Sequence, residues 1–165
     1  MTNLILIGGP MGVGKSTAAR KLLNRLPSAV WLDGDWCWNA SPFVVNGATK
    51  AVVLDNICHC LNNFLSCGQY GNIIFSWVMH EQSIINGILA RLDLTGVRVV
   101  NISLICPPEE LLKRMDRDIS RGERDEGVKS RALERLGHYG ELDTIKIDTS
   151  LLDADGVAAA IEKLL

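Results

Sequence analysis

A chain of 165 residues is one ordinary domain, and its 47% hydrophobic content suffices for a single sizeable core. The 22% of charged residues fits a folded globular protein, and a net charge of −2 lacks the basic excess of a chain that lives on nucleic acid. No apolar run reaches the roughly 18 residues of a membrane span, and no charged segment precedes an apolar one at the start, so neither a membrane helix nor a signal peptide is expected. The cysteines, Cys37, Cys58, Cys60, Cys67 and Cys106, show no C-x-x-C spacing and read as free thiols in a reducing cytoplasm.

Residues 3–7 (NLILI) form a short, continuous apolar run ending in Gly8-Gly9, the pattern of a strand buried in a parallel sheet. Residues 16–26 carry Ala18, Ala19, Leu22, Leu23 and Leu26 at helical spacing, and Pro27 stops that helix. Residues 29–33 (AVWLD) predict a second strand, and residues 41–47 read as loop. A long helix follows over 49–67, with Val52, Val53, Ile57, Leu61, Phe64 and Leu65 on its apolar positions and Gly68 at its C-terminal cap. Residues 72–75 predict the third strand, 81–94 a helix ending near Gly96, and 97–105 the fourth strand. Cys106-Pro107-Pro108-Glu109-Glu110 opens a helix with proline in its first turn and acids where the dipole favours them, running to about Ser120. A charged break spans 121–127, a helix 129–139, the fifth strand 144–147 and a last amphipathic helix 155–165. Strict alternation of strand and helix predicts an α/β fold: a single domain over 1–165, built as a three-layer sandwich around a five-stranded parallel sheet.

Gly9-Pro10-Met11-Gly12-Val13-Gly14-Lys15-Ser16 fits G-x-x-x-x-G-K-[ST] at each fixed position. Glycines let the backbone turn its N–H groups inward as a nest for phosphate oxygens, and the following helix aims its positive end at the same anion. Lys15 is placed to reach the terminal phosphates and the Ser16 hydroxyl to ligate Mg²⁺. An apolar strand before the motif and an amphipathic helix after it supply the context of a P-loop NTPase. The expected nucleotide contacts are Gly9, Met11, Gly12, Val13, Gly14, Lys15, Ser16 and Thr17, with ATP and Mg²⁺ as cofactors.

Asp33-Gly34-Asp35 follows the second strand, at the edge where open parallel sheets bind ligands. Two carboxylates beside a phosphate–Mg²⁺ site can divide the work. One can hold the metal through water and the other can orient or deprotonate an acceptor hydroxyl; Asp35 lies two residues beyond Asp33 along an expected extended segment.

The P-loop, the LDGD segment at 32–35 and the five-strand plan together resemble the shikimate and gluconate kinase branch of the nucleoside-monophosphate-kinase-like fold. The resemblance implies a strand order of 2-3-1-4-5, Asp33 near Mg²⁺ and Asp35 facing the acceptor hydroxyl. It implies that Arg114, in the EELLKR segment, stacks on adenine, and that Arg121 is a lid arginine on the ATP phosphates, a role Arg117 and Arg124 could share. The lid would span 115–128. Thr149, in the IDTS segment, would lie in the loop edging the adenine, and Arg135 where shikimate kinases bind a carboxylate. Lys15, Asp35 and Arg121 are the expected catalytic residues. The chain departs from shikimate kinases at 76–80, SWVMH, where a Gly-Gly-Gly turn would stand.

The expected acceptor region, 36–80, has Lys50 as its one formal cation besides His59 and His80, but holds Trp36, Trp38 and Trp77. Aromatic faces suit rings, sugar faces and cations. With Asp35, His80 and Arg135, these tryptophans are the candidate substrate contacts. The reading is transfer of the ATP γ-phosphoryl to a hydroxyl of a small, neutral or zwitterionic molecule, such as a sugar, a nucleoside or an antibiotic-like compound. The protein would be a monomer or homodimer without nucleic-acid or membrane partners. Two rivals stand beside it: a nucleotide-binding protein that sequesters a ligand without phosphotransfer, and a nucleoside-monophosphate kinase, which should show arginines in 36–80. An AAA-type ATPase is set aside, because the chain is short for a helical lid domain and its third strand ends without an acid.

Overall fold

The computed structural model describes residues 1–122 and 127–165. Its strands are β1 (Thr2–Gly8), β2 (Ala29–Asp33), β3 (Asn72–Ser76), β4 (Val97–Ile105) and β5 (Ile145–Asp148), and the sheet order is β2-β3-β1-β4-β5. Every pairing is parallel. Around the sheet run α1 (Lys15–Arg25), α2 (Gly47–Ser66), α3 (Gln82–Leu89), α4 (Pro108–Ser120), α5 (Val128–Leu136), α6 (His138–Glu141) and α7 (Ala154–Glu162). This is the expected topology.

The central strand shows why both faces are covered. Alternate residues of β1 point to opposite sides: Ile5 and Ile7 enter one core with Ala18, Leu22, Met115 and Ile161, while Leu4 and Leu6 enter the other with Ile57, Leu61, Phe75 and Ile88. A strand buried on both sides needs the continuous apolar run that NLILI supplies.

Three expectations about elements change. The helix expected over 81–94 ends at Leu89, because Asn62 of α2 captures the chain there, donating from Nδ2 to the Arg91 carbonyl and accepting the Asp93 N–H at Oδ1. The helix expected over 129–139 is two, α5 and α6, parted at Gly137. The segment after β2 is not extended. Gly34–Trp38 coils into a 3₁₀ helix, capped by the Asp33 side chain, which accepts the Asp35 N–H.

Register fixes what meets at the C-terminal edge of the sheet. Ile7 pairs with Ser76 and Asp33 pairs with Ser76, so the end of β3 lies between the start of the P-loop and the end of β2.

Candidate active site

The P-loop leaves β1 with Gly9, Gly12 and Gly14 all at positive φ. Gly14 is the N-cap of α1 at φ 102 and takes no side-chain cap, and the first turn of α1 holds no acid. Its orphan N–H groups therefore face outward with the helix dipole behind them, which is the requirement for an anion site. Lys15 arches back over the loop, its Nζ donating to the Pro10 carbonyl at 2.9 Å. Val13 and Pro10 are buried and Met11 is half-buried against the core, so the loop is anchored from beneath. Thr17 is exposed in the first turn of α1.

Ser16 Oγ donates to Asp33 Oδ2 at 2.6 Å. Asp33 is buried and is the meeting point of three donors: Ser16, the Asp35 amide, and the Ser76 hydroxyl at 3.1 Å. The two residues expected to serve a metal are thus brought into contact. A hydroxyl with its proton on a carboxylate keeps its lone pairs for a cation, so this donor set fits a Mg²⁺ ligated by Ser16 and reached by Asp33 through water.

Arg114 and Thr149 also come to the P-loop. The Arg114 guanidinium donates to the Val13 carbonyl at 3.2 Å, to Thr149 Oγ1 at 2.9 Å and to the Thr149 carbonyl at 2.8 Å, and its Nε pairs with Glu110 at 2.9 Å. Arg114 holds the Glu110 carboxyl below the usual carboxylate range, chiefly through this hydrogen bond. The network clasps the loop after β5 to the P-loop.

Asp35 departs from its expected geometry. In an extended segment its carboxylate would lie on the Asp33 side of the strand, displaced along it. In the 3₁₀ turn it is exposed one step round from the capping Asp33. The turn exists because Asp33 caps it and because residue 34 is glycine: a Cβ there would meet the Trp77 ring at 2.4 Å.

The three tryptophans separate. Trp77 lies on Gly34 with its ring 6.3 Å from Phe75, and Trp38 sits 5.8 Å from Phe43, both rings partly buried against the core beneath α2. Trp36 is 57% exposed and rests on Trp31 at 4.8 Å. Phe43, Val44 and Val45 are exposed beside them, and no charged residue occurs from 36 to 49.

His80 and Arg135 are brought together from α5 and the loop before α3, joined by His138 and Tyr139 of α6. The His80 ring is 6.1 Å from His138 and its Nε2 3.4 Å from Glu81. Burial above all, then the Arg135 and His138 charges, lowers the His80 pKa, against Glu81. Tyr139 is fully enclosed with its hydroxyl near the Gly9 backbone, and burial raises its pKa far above the ordinary phenol value.

Arg121 caps the C-terminus of α4 and is exposed, its backbone N–H on the Arg117 carbonyl; Arg117 is exposed as well. Of the interleaved acids, Asp116 pairs with Lys129 at 2.6 Å across α4 and α5. Arg124 and its acidic neighbours Glu123 and Asp125 lie outside the described residues.

Spacing does not find Ser76, Trp31, His138 or Tyr139 as site residues. Trp31 and Ser76 are 45 positions apart, and only strand register makes them neighbours. The Gly137 break that turns Tyr139 inward leaves no signal beyond a glycine in a helical run.

Residues 5–134 match the profile of a family described as an AAA domain. This family description stands against setting AAA-type proteins aside on chain length and the missing acid; the matched span runs from β1 into α5. No curated protein matches the sequence. Among solved structures, the tunicamycin resistance protein of Deinococcus radiodurans is 22% identical with a TM-score of 0.72, over 99% of this chain and 95% of that one. A shikimate kinase from Acinetobacter baumannii, solved with shikimate, is 21% identical with a TM-score of 0.64, over 99% and 92%. A gluconokinase from Sinorhizobium meliloti is 17% identical with a TM-score of 0.67, over 98% and 95%. At these identities the likeness is one of fold.

Proposed function

The chain belongs to the AAA domain family, and on that premise we propose that it is an ATP-dependent phosphotransferase, moving the γ-phosphoryl of ATP to a hydroxyl of a small molecule. The observation that carries this reading is the Ser16–Asp33 contact of 2.6 Å, directly beside a nest of backbone N–H groups and two residues before an exposed Asp35. Lys15 and Ser16 would hold the phosphates and Mg²⁺, Asp33 would reach the metal through water, and Arg114 and Thr149 would border the base. Asp35 would receive or align the acceptor hydroxyl, and Arg121 would close over the transferred group from a lid across 115–128. Bound Mg²⁺ would supply charge neutralisation on the phosphates; the chain supplies position.

The acceptor would meet a surface rich in aromatic and aliphatic side chains and without charge from 36 to 49, with Arg135 as its cationic margin and His80 beside it. That favours a neutral or zwitterionic hydroxyl compound over a nucleoside monophosphate, since no arginine occurs in 36–80. The fold shared with kinases of gluconate and shikimate supports the same class of reaction. Free thiols at every cysteine fit a reducing cytoplasm, and among the described residues no helix is long and apolar enough to cross a membrane.

The experiment is thermal unfolding with Mg-ATP. At 100 times its dissociation constant the ligand should add roughly 2.7 kcal/mol, and Lys15→Ala should remove most of that shift. Equal shifts in both proteins would end the assignment. A protein that binds Mg-ATP but neither hydrolyses it nor phosphorylates any of a panel of sugars, nucleosides and aminocyclitols would favour the ligand-sequestering alternative.

A further inference from the structure

Trp31 and Asp33 leave β2 on the same face, as alternate residues of a strand do, and the parallel register sets Asp33 opposite Ser76. The Trp31 indole nitrogen lies 2.9 Å from Ser76 Oγ, and an indole N–H only donates. Ser76 Oγ is therefore the acceptor of that bond. Its one proton goes to Asp33 Oδ2, at 3.1 Å. The same carboxylate oxygen takes the Ser16 proton at 2.6 Å, and Oδ1 takes the Asp35 amide at 3.1 Å. Each proton from Trp31 through Ser76 to Asp33 has a set direction, which begins at the indole, a group that can only donate.

We propose that Ser76 and Trp31 are positioning residues for the Mg²⁺ of the bound nucleotide. They lock the Asp33 carboxylate in the rotamer that takes the Ser16 proton, and so turn the lone pairs of Ser16 Oγ toward the P-loop. The proposal rests on the reading of residues 9–16 as a Mg-nucleotide site. Ser76 is fully buried, so its hydroxyl works between Trp31 and Asp33 out of reach of solvent. It adds a donor to the carboxylate and not a second negative charge, so its contribution is orientation. Trp31 is held in turn from outside, its ring 4.8 Å from Trp36 and 5.9 Å from the Arg20 guanidinium. Outer partners of this kind typically change metal affinity by about 10–100-fold when removed.

The test measures ADP affinity by calorimetry, with MgCl₂ and with EDTA, for the wild type, Trp31→Phe, Ser76→Ala and the double variant. Trp31→Phe keeps an aromatic ring but loses the N–H together with the second ring of the indole. Ser76→Ala should lower the Mg²⁺-dependent gain in affinity by about tenfold or more, with the metal-free dissociation constant unchanged within about twofold. Trp31→Phe should lower the gain less, and the double variant no further than Ser76→Ala, because Trp31 acts through Ser76. A wild-type gain in Ser76→Ala overturns the proposal, and so does a parallel loss with and without the metal, which marks a merely structural role. If Ser76→Ala fails to fold, the same criteria apply to Trp31→Phe. A wild type that binds ADP but gains nothing from Mg²⁺ overturns the metal reading and the proposal together, whereas a wild-type gain with indifferent variants overturns the proposal alone.

Discussion

On the P-loop side of the sheet edge, Ser16, Asp33, Arg114 and Thr149 are tied to each other and to the loop by hydrogen bonds of 2.6 to 3.2 Å. On the proposed acceptor side, Trp36, Phe43, Val44 and Val45 stand exposed on a stretch without charge. The first region is held by directional bonds, each with a defined partner. The second is held by ring contacts and apolar packing, which set shape but not direction. A site that must present one phosphate geometry gains from the first construction, because preorganised donors need no rearrangement when charge develops. A surface that selects a substrate by its faces gains from the second, because it can adapt to a new ligand by changing side chains without disturbing a network.

The sharpest way to break the comparison is at Asp35, on the boundary. Asp35→Asn keeps the size of the side chain and the backbone amide that caps onto Asp33. On the proposed mechanism it should cost on the order of 10²–10⁴ in turnover and leave Mg-ATP affinity in place. Turnover at the wild-type rate, measured with an acceptor found by screening, would remove Asp35 as the base.

Next comes the clasp. Arg114→Ala removes the donor to Val13 and Thr149 and leaves Glu110 without its partner. A loss of roughly 1–3 kcal/mol in unfolding free energy is expected, read by urea denaturation, together with weaker nucleotide binding. If stability falls but nucleotide affinity does not, Arg114 belongs to the scaffold alone.

The lid reading is tested by hydrogen exchange over 114–128 with and without an ATP analogue. Slower exchange with the analogue is expected, since a closing lid pays an ordering cost that ligand contacts offset. Unchanged exchange would count against Arg121 as a phosphate contact.

The smallest effect is one of pH. The folded-state pKa of His80 lies below its ordinary value of about 6.5, mainly through burial and with Arg135 and His138 adding to the shift. The unfolded chain then takes up this proton at a pH where the folded chain does not. The contribution to stability is complete above about 6.5 and is lost as pH falls from there through the folded-state value. His80→Gln should flatten that part of the stability–pH curve. An unchanged slope would assign it to other groups.

The sequence carried the P-loop side well, because residues 9–16 are contiguous and their chemistry follows from spacing. Asp33 was legible as a partner of that loop from its place at the end of an apolar run. The strand order came from the resemblance, since five similar strands do not by themselves reveal which lies beside which. What spacing could not reach are relations made by folding: Asn62 ending α3 early, Asp33 coiling the segment after β2, and Trp31 meeting Ser76 across the register. The acceptor side was legible in composition, as tryptophans without arginines, but not in geometry. Which ring would pack inward, as Trp77 does on Gly34, and which would stay outside, as Trp36 does, is decided by neighbours distant in the chain.

That close approach between positions 34 and 77 has an evolutionary consequence. A side chain at 34 would have to pass through the indole, its Cβ only 2.4 Å from the ring, so position 34 cannot grow while 77 remains tryptophan. A smaller residue at 77 would open a gap under the turn that carries Asp35. The two sites are coupled in the sense that the effect of either change depends on the other. Lineages that alter this corner of the surface must therefore change both positions together or pass through a weakened intermediate, and the pair forms a ratchet on how quickly the turn can be reshaped for a different acceptor.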